Sequence, residues 1–160
     1  MTHVGALPLG DSPWIQLKDG DDTCRAIFQR HYSYRRYADG RQPLLFVGPG
    51  EKMVLMSPAA DALFVWRKFI DDADDGSRSP QIGVNCAVFR NESGQRSSYL
   101  IAEAVKWARR RWRTDRLYTY VNPLKIRHKR DPGRCFRKAG WIECGRTKGG
   151  LFILEFLECA

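Results

Sequence analysis

Residues 81–112 read QIGVNCAVFRNESGQRSSYLIAEAVKWARRRW, and the fold class turns on how this stretch divides. Gln81 to Phe89 is short and mostly apolar, the pattern of a buried strand. Arg90 to Ser98 is polar with Gly94 at its middle, a loop. From Ser98 to Trp112 the residues Leu100, Ile101, Ala104, Val105, Ala108 and Trp112 recur at helical spacing, and Glu103, Lys106, Arg109 and Arg110 fall on the outer face. Ser97 and Ser98 are the expected N-cap of that helix. A buried strand that feeds a loop and then a helix start makes a crevice, a favoured place for a site.

Outward from this unit, Trp14 to Leu17 reads as a short strand. Asp21-Asp22-Thr23 offers N-cap candidates for a helix through Phe28 and into His31. Ser33 to Gln42 is a polar, aromatic loop. Leu44 to Val47, the turn Gly48-Pro49-Gly50, Lys52 to Met56 and Ala62 to Phe69 continue in extended segments, and the acidic run Asp71, Asp72, Asp74, Asp75 is a surface loop. Leu117 to Val121 predicts a strand and Cys135 to Ala139 a short helix ended by Gly140. Trp141 to Cys144 and Leu151 to Leu157 predict two last strands around Lys148-Gly149-Gly150. The expected architecture is α/β: one domain over residues 1–160, with a mixed central sheet flanked by helices.

Composition limits the function classes. The 160 residues are 43% hydrophobic and 28% charged, which suits a globular chain with a real core. No apolar run nears the roughly 20 residues that span a bilayer, so no membrane partner is expected. The start of the chain lacks a basic segment followed by an apolar run, and no signal peptide is expected. Five scattered cysteines show neither disulfide-framework nor metal-pair spacing, which points to reduced thiols in a cytoplasm. Cys86 and Cys135 read as small hydrophobes. No zinc pattern is visible, and the residues themselves identify no cofactor.

The net charge of +9 is uneven. Residues 106–150 hold 15 Lys/Arg against 3 Asp/Glu. A basic third on a slightly acidic body suits a polyanion, and a nucleic acid is the expected partner, with a solvated basic surface as the alternative. Two clusters carry this charge. Arg109 and Arg113, with their arginine neighbours, lie at the end of the long helix, where most must be solvated whatever their role. Lys125, Arg127, Lys129 and Arg130 sit with His128 in a loop shaped to grip phosphates, and Arg134 follows. Arg90 could fix a phosphate or carboxylate through its fork, and Asn91 could pair with an adenine edge or hold a carbonyl oxygen. The alternative is a turn that caps the helix, with Arg90 and Glu92 in a surface ion pair. Tyr34, Tyr37, Tyr118 and Tyr120 could stack a flipped base or serve as core and strand residues.

Several segments, in this order, carry a resemblance: His31-Tyr32-Ser33, Phe89-Arg90-Asn91-Glu92, Ser97-Ser98, Tyr118 through Asn122-Pro123, and Pro132-Gly133-Arg134-Cys135-Phe136 on through Ala139-Gly140-Trp141 to Gly145. They resemble the Mom-like branch of the GNAT acyltransferases, phage-type proteins that hypermodify adenine in DNA. The loop after Arg90 departs from the family's Gln/Arg-x-x-Gly-x-Gly/Ala pattern: the first glycine falls one place late, and Arg96 stands where the second small residue belongs. The resemblance makes the expected nucleic acid double-stranded DNA. It implies a GNAT-like domain and a product bearing a carbamoylmethyl group on the base nitrogen. It implies an activated acyl donor, such as a glycyl-tRNA or acetyl-CoA. It implies catalytic roles for His31, as base or metal ligand, and for Tyr32, as donor or acid, beside Arg90 and Asn91. Ser33, Glu92, Ser97, Ser98, Tyr120 and Asn122 would then face substrate or donor. A His31-centred iron site stays open under this reading, as does a helix-end histidine packed beside an aromatic ring. If the protein is phage-encoded, its location would be the host cytoplasm.

Overall fold

The computed structural model describes residues 11–41, 43–69, 81–125 and 131–158. The elements run β1 (Ile15–Leu17), α1 (Asp22–Phe28), β2 (Glu51–Met56), β3 (Ala62–Lys68), β4 (Val84–Asn91), α2 (Ser97–Arg111), β5 (Leu117–Val121), α3 (Arg134–Lys138), β6 (Trp141–Arg146) and β7 (Phe152–Phe156), with a 3-10 turn at Pro123–Lys125. The seven strands form one mixed sheet in the order β1-β2-β3-β4-β5-β7-β6. Only β4 and β5 run parallel, as the intervening α2 requires. The α/β expectation therefore holds. Among the described residues no helix is long and apolar enough to cross a membrane.

The strand alternation assigns the two faces. Phe64 and Trp66 of β3 join Leu100, Ile101, Ala104 and Ala108 of α2 in the larger core, with Phe136 of α3 and Trp141. Leu63 and Val65 point the other way and pack with Cys24 and Ile27 of α1. Trp107, which the helical spacing left out, is also buried; its indole donates to the Ser12 hydroxyl. Trp14 and Trp66 likewise donate to the carbonyls of Leu100 and Ala104, tying the sheet to α2.

A bulge in β4 decides which core each of its later residues meets. Val65 pairs with Val88 but Trp66 pairs with Cys86, so Ala87 is the extra residue. Val84 and Cys86 face α2 before it. After it Phe89 packs against the α2 core while Val88 joins the α1 core. Bulged strands bend, and here β4 parts from β5: their parallel register ends at Cys86 with Thr119. Thr119 Oγ1 donates to the Cys86 carbonyl at 3.0 Å, beside that last pair.

Several element boundaries differ from expectation. β4 extends through Asn91, so Arg90 and Asn91 are strand residues paired with Leu63 and Ala62. At its other end Gln81 to Gly83 lie outside the strand. Leu44 to Val47 form no strand, because the backbone N–H groups of Phe46 and Val47 donate to the Asp19 carboxylate instead of to a ladder. That carboxylate also accepts from Lys52 at 2.8 Å. β6 is longer than expected, through Arg146. α3 spans Arg134–Lys138 between two left-handed glycines, Gly133 and Gly140. A side chain at Gly133 would also collide with Leu154, 2.5 Å away. The acidic run 71–75 lies outside the described residues.

Candidate functional site

The gap between β4 and β5 gathers several expected site residues. His31 follows α1 in a tight turn, its N–H donating to the Phe28 carbonyl at 2.9 Å. Its Nδ1 lies 3.1 Å from the Ser33 backbone nitrogen and 2.8 Å from the Ser33 hydroxyl. A backbone N–H can only donate, so Nδ1 accepts and the neutral ring carries its proton on Nε2. Burial first, and then the Arg90 guanidinium, lower its pKa to about 4, against an opposing pull from the Phe89 backbone. His31 is thus neutral at physiological pH with its Nδ1 lone pair engaged. The Nε2–H faces the Phe89 carbonyl, the source of that upward pull, so both ring nitrogens have backbone or side-chain neighbours, and the base assigned from the sequence would need the other tautomer.

The Tyr32 ring sits 4.3 Å from the His31 ring, centroid to centroid. The ring is half exposed, but its hydroxyl end reaches toward Cys86 and the Asn122 backbone. Burial and then Cys86 raise its pKa, and the Asn122 backbone lowers it. The phenol keeps its proton and can donate. Cys86, with its thiol pKa pushed up chiefly by burial, is a core residue in the wall of the gap. Cys135, partly buried and raised for the same reason, is not a poised nucleophile.

Arg90 and Glu92 form the ion pair that the sequence left as the alternative, and a partner missed in the sequence joins them. Glu92 accepts from Arg90 Nε at 2.6 Å and takes a two-pronged grip from Arg30, at 2.7 Å to each oxygen. Arg30 first and Arg90 second hold its pKa at about 2. The triad locks the end of α1 to the exit of β4 and so sets where His31 stands. No spacing signal links Arg30 to Glu92, 62 residues away.

Asn91 is not free to read a base. Its Nδ2 donates to the Gln95 carbonyl at 2.8 Å and to Ser97 Oγ at 3.0 Å, while its Oδ1 accepts from the Ser93 backbone and hydroxyl. Its amide organises the loop, which corrects the catalytic assignment. The bulge explains the division of labour: Arg90 faces the α1 side and Asn91 the α2 side. The N-cap assignment is corrected as well. Arg96 occupies that position, with extended backbone and no side-chain cap, and Ser97 and Ser98 are the first helical residues. The leading N–H groups of α2 thus lack a capping side chain. Beside them a groove of about 700 Å³ is lined by Arg96, Ser97, Ser98, Asp131, Arg134 and Lys138, among others.

Other expected residues lie apart. Arg109 is spent inside the fold: it donates to the carbonyls of Trp112 and Asp115 and pairs with Glu158. It and the exposed Arg113 sit at the far end of α2, about 20 Å from its N-terminus at 1.5 Å per residue. Asn122 Oδ1 accepts from Leu124 and caps the short turn ending at Lys125, which is exposed. Tyr120 meets Tyr118 edge-on at 5.7 Å, and Tyr118 is fully buried, hence no stacking platform. Arg127, His128, Lys129 and Arg130 lie outside the described residues. Among those described, no group of three His, Cys, Asp or Glu could hold a metal ion. Comparison with known proteins gives no match to a family model, a curated protein or a solved structure.

Proposed function

We propose that this protein is a Mom-like, GNAT-type transferase that modifies the exocyclic amine of adenine in double-stranded DNA, a modification that would protect phage DNA from restriction. One observation carries the reading: the sheet parts at β4 and β5 beside donors on one face and an uncapped, cationic helix end on the other. Acyl transfer must bring an amine and an activated carbonyl together, and a gap through a sheet lets them arrive from opposite sides. A donor bearing phosphates suits the free N–H groups of α2 beside Arg96, Arg134 and Lys138. The adenine amine is a weak nucleophile inside a stacked duplex, so the base must first be flipped out. Donation from the Tyr32 hydroxyl, or from His31 Nε2 once it turns from the Phe89 carbonyl, would stabilise negative charge building on the acyl oxygen.

The resemblance supplies the chemistry in two steps. A glycyl group first moves to the amine, which loses a proton, and the donor leaves. The new free amine then attacks the ring carbon and expels the amide nitrogen, leaving a carbamoylmethyl substituent. The test is expression in a bacterium followed by digestion of its DNA and mass spectrometry of the nucleosides. A new adenine adduct is expected, reduced about 10²-fold or more in a folded His31→Ala variant. A soluble, abundant wild-type protein that leaves no adduct refutes the reading.

The same groove favours a second reading, an acetyl-CoA-dependent N-acetyltransferase acting on another amine. The shifted glycine and Arg96 in the loop argue against it, so acetyl-CoA should leave the melting temperature unchanged at millimolar concentration. A ligand at 100 times its Kd stabilises by about 2.7 kcal/mol, and a shift of that order would favour the second reading.

A further inference from the structure

After α1, residues 29–41 and 43–46 form two adjoining hollows next to His31. The larger, about 500 Å³, lies between Phe28, Ser33, Tyr34, Arg35 and Tyr37; the smaller, about 350 Å³, shares Gln29, Tyr34, Arg36 and Tyr37 with it. Both fall within the roughly 300–1,000 Å³ of small-ligand sites. Among the described residues no carboxylate lines either one. Arg25 and Arg41, which also reach them, are paired with Asp22 and Asp39. Arg35 and Arg36 are exposed and have no acidic partner among the described residues.

The aromatic rings differ in how they are held. Tyr34 meets Phe28 edge-on at 5.6 Å, and Phe28 stacks on Phe46 at 5.3 Å, which fixes Tyr34 as a wall. Tyr37 is half exposed, with the Arg41 guanidinium 5.3 Å from its ring centre. Paired arginine forks without internal anions suit phosphates. Rigid and exposed tyrosine faces beside them suit bases that have left the duplex stack. Ser33 lines the larger hollow and also touches His31 Nδ1, so one residue separates the hollow from the candidate site.

We propose that Arg35, Arg36, Tyr34 and Tyr37 cradle an unpaired stretch of the substrate DNA strand and deliver its base to His31 and Tyr32. The proposal rests on the base-modifying reading of the protein. It moves the substrate grip away from the helix end at Arg109 and Arg113, which lies at the wrong end of the sheet.

The experiment is fluorescence anisotropy with a short labelled single-stranded DNA across a salt series. In Arg35→Ala/Arg36→Ala, affinity falls and the slope of log affinity against log salt flattens by about 1.4, two phosphates at roughly 0.7 each. Tyr37→Ala weakens binding about tenfold with the slope unchanged, because stacking carries no net charge. Circular dichroism should show both variants folded, since these side chains are exposed. Wild-type affinity and slope in the double arginine variant overturn the proposal, as does tighter binding of RNA of the same sequence. Nucleoside analysis separates the two claims. A double variant that still makes the adduct at the wild-type level overturns the cleft and spares the enzyme. Loss of oligonucleotide binding in the variants, with no adduct from the wild type, supports the cleft as a strand-binding site and refutes the base-modifying reading alone.

Discussion

At the scale of single residues, titration behaviour follows from contact. His31 has a folded-state pKa of about 4, below the ordinary 6.5. Between those values the unfolded chain takes up a proton that the folded chain refuses, so stability falls as pH drops from 6.5 toward 4. The stability of wild type relative to His31→Gln should decline over that window in urea melts, and the ring should show no NMR titration near neutrality. A transition near pH 6.5 would contradict both the burial of the ring and its contact with Arg90. Glu92 behaves in the same sense, in a more acid window. Its depressed pKa adds stability above about 4.5 that is lost as pH falls toward 2. Because the triad faces solvent, that contribution is small, about 1 kcal/mol or less.

At the scale of elements, α2 departs from the usual helix design. Its N-cap position holds Arg96, which has suitable extended dihedrals but no oxygen to accept from the helix N–H groups. Arg96→Ser supplies that acceptor and should stabilise the protein by about 1 kcal/mol, read as a higher urea midpoint at unchanged slope. An unchanged or lower midpoint would mean that the uncapped end has another source of satisfaction. If the substitution stabilises the fold and also reduces adduct formation, stability has been given up at this helix end for function.

At the scale of the whole molecule, one sheet joins the elements. β1 and β6 are its two edges, and β7 is inserted between β5 and β6, so the C-terminal strands are pinned to the centre. The five tryptophans are spread from Trp14 to Trp141. Far-ultraviolet circular dichroism and tryptophan fluorescence should therefore report one coincident thermal transition. Two separated transitions would show that the sheet is not a single cooperative unit.

Local pattern was enough for part of this protein. The apolar repeat of α2, the Asp21 cap of α1, the glycine that ends α3 and the strand Leu117–Val121 all depend on spacings of a few residues, and each is legible in the chain. So was the bringing together of His31, Tyr32 and the exit of β4, although only through a resemblance. Tertiary structure alone decided the rest. The bulge at Ala87 reverses which face each later side chain of β4 meets, and it comes from pairing with β3. Arg30 finds Glu92, and Asp19 draws Phe46 and Val47 out of a strand, across separations of 62, 27 and 28 residues. Asn91 had the right chemistry to read a base, but its amide was already engaged by its own loop. Sequence declares what a side chain can donate or accept; only the folded chain determines which partner reaches it first.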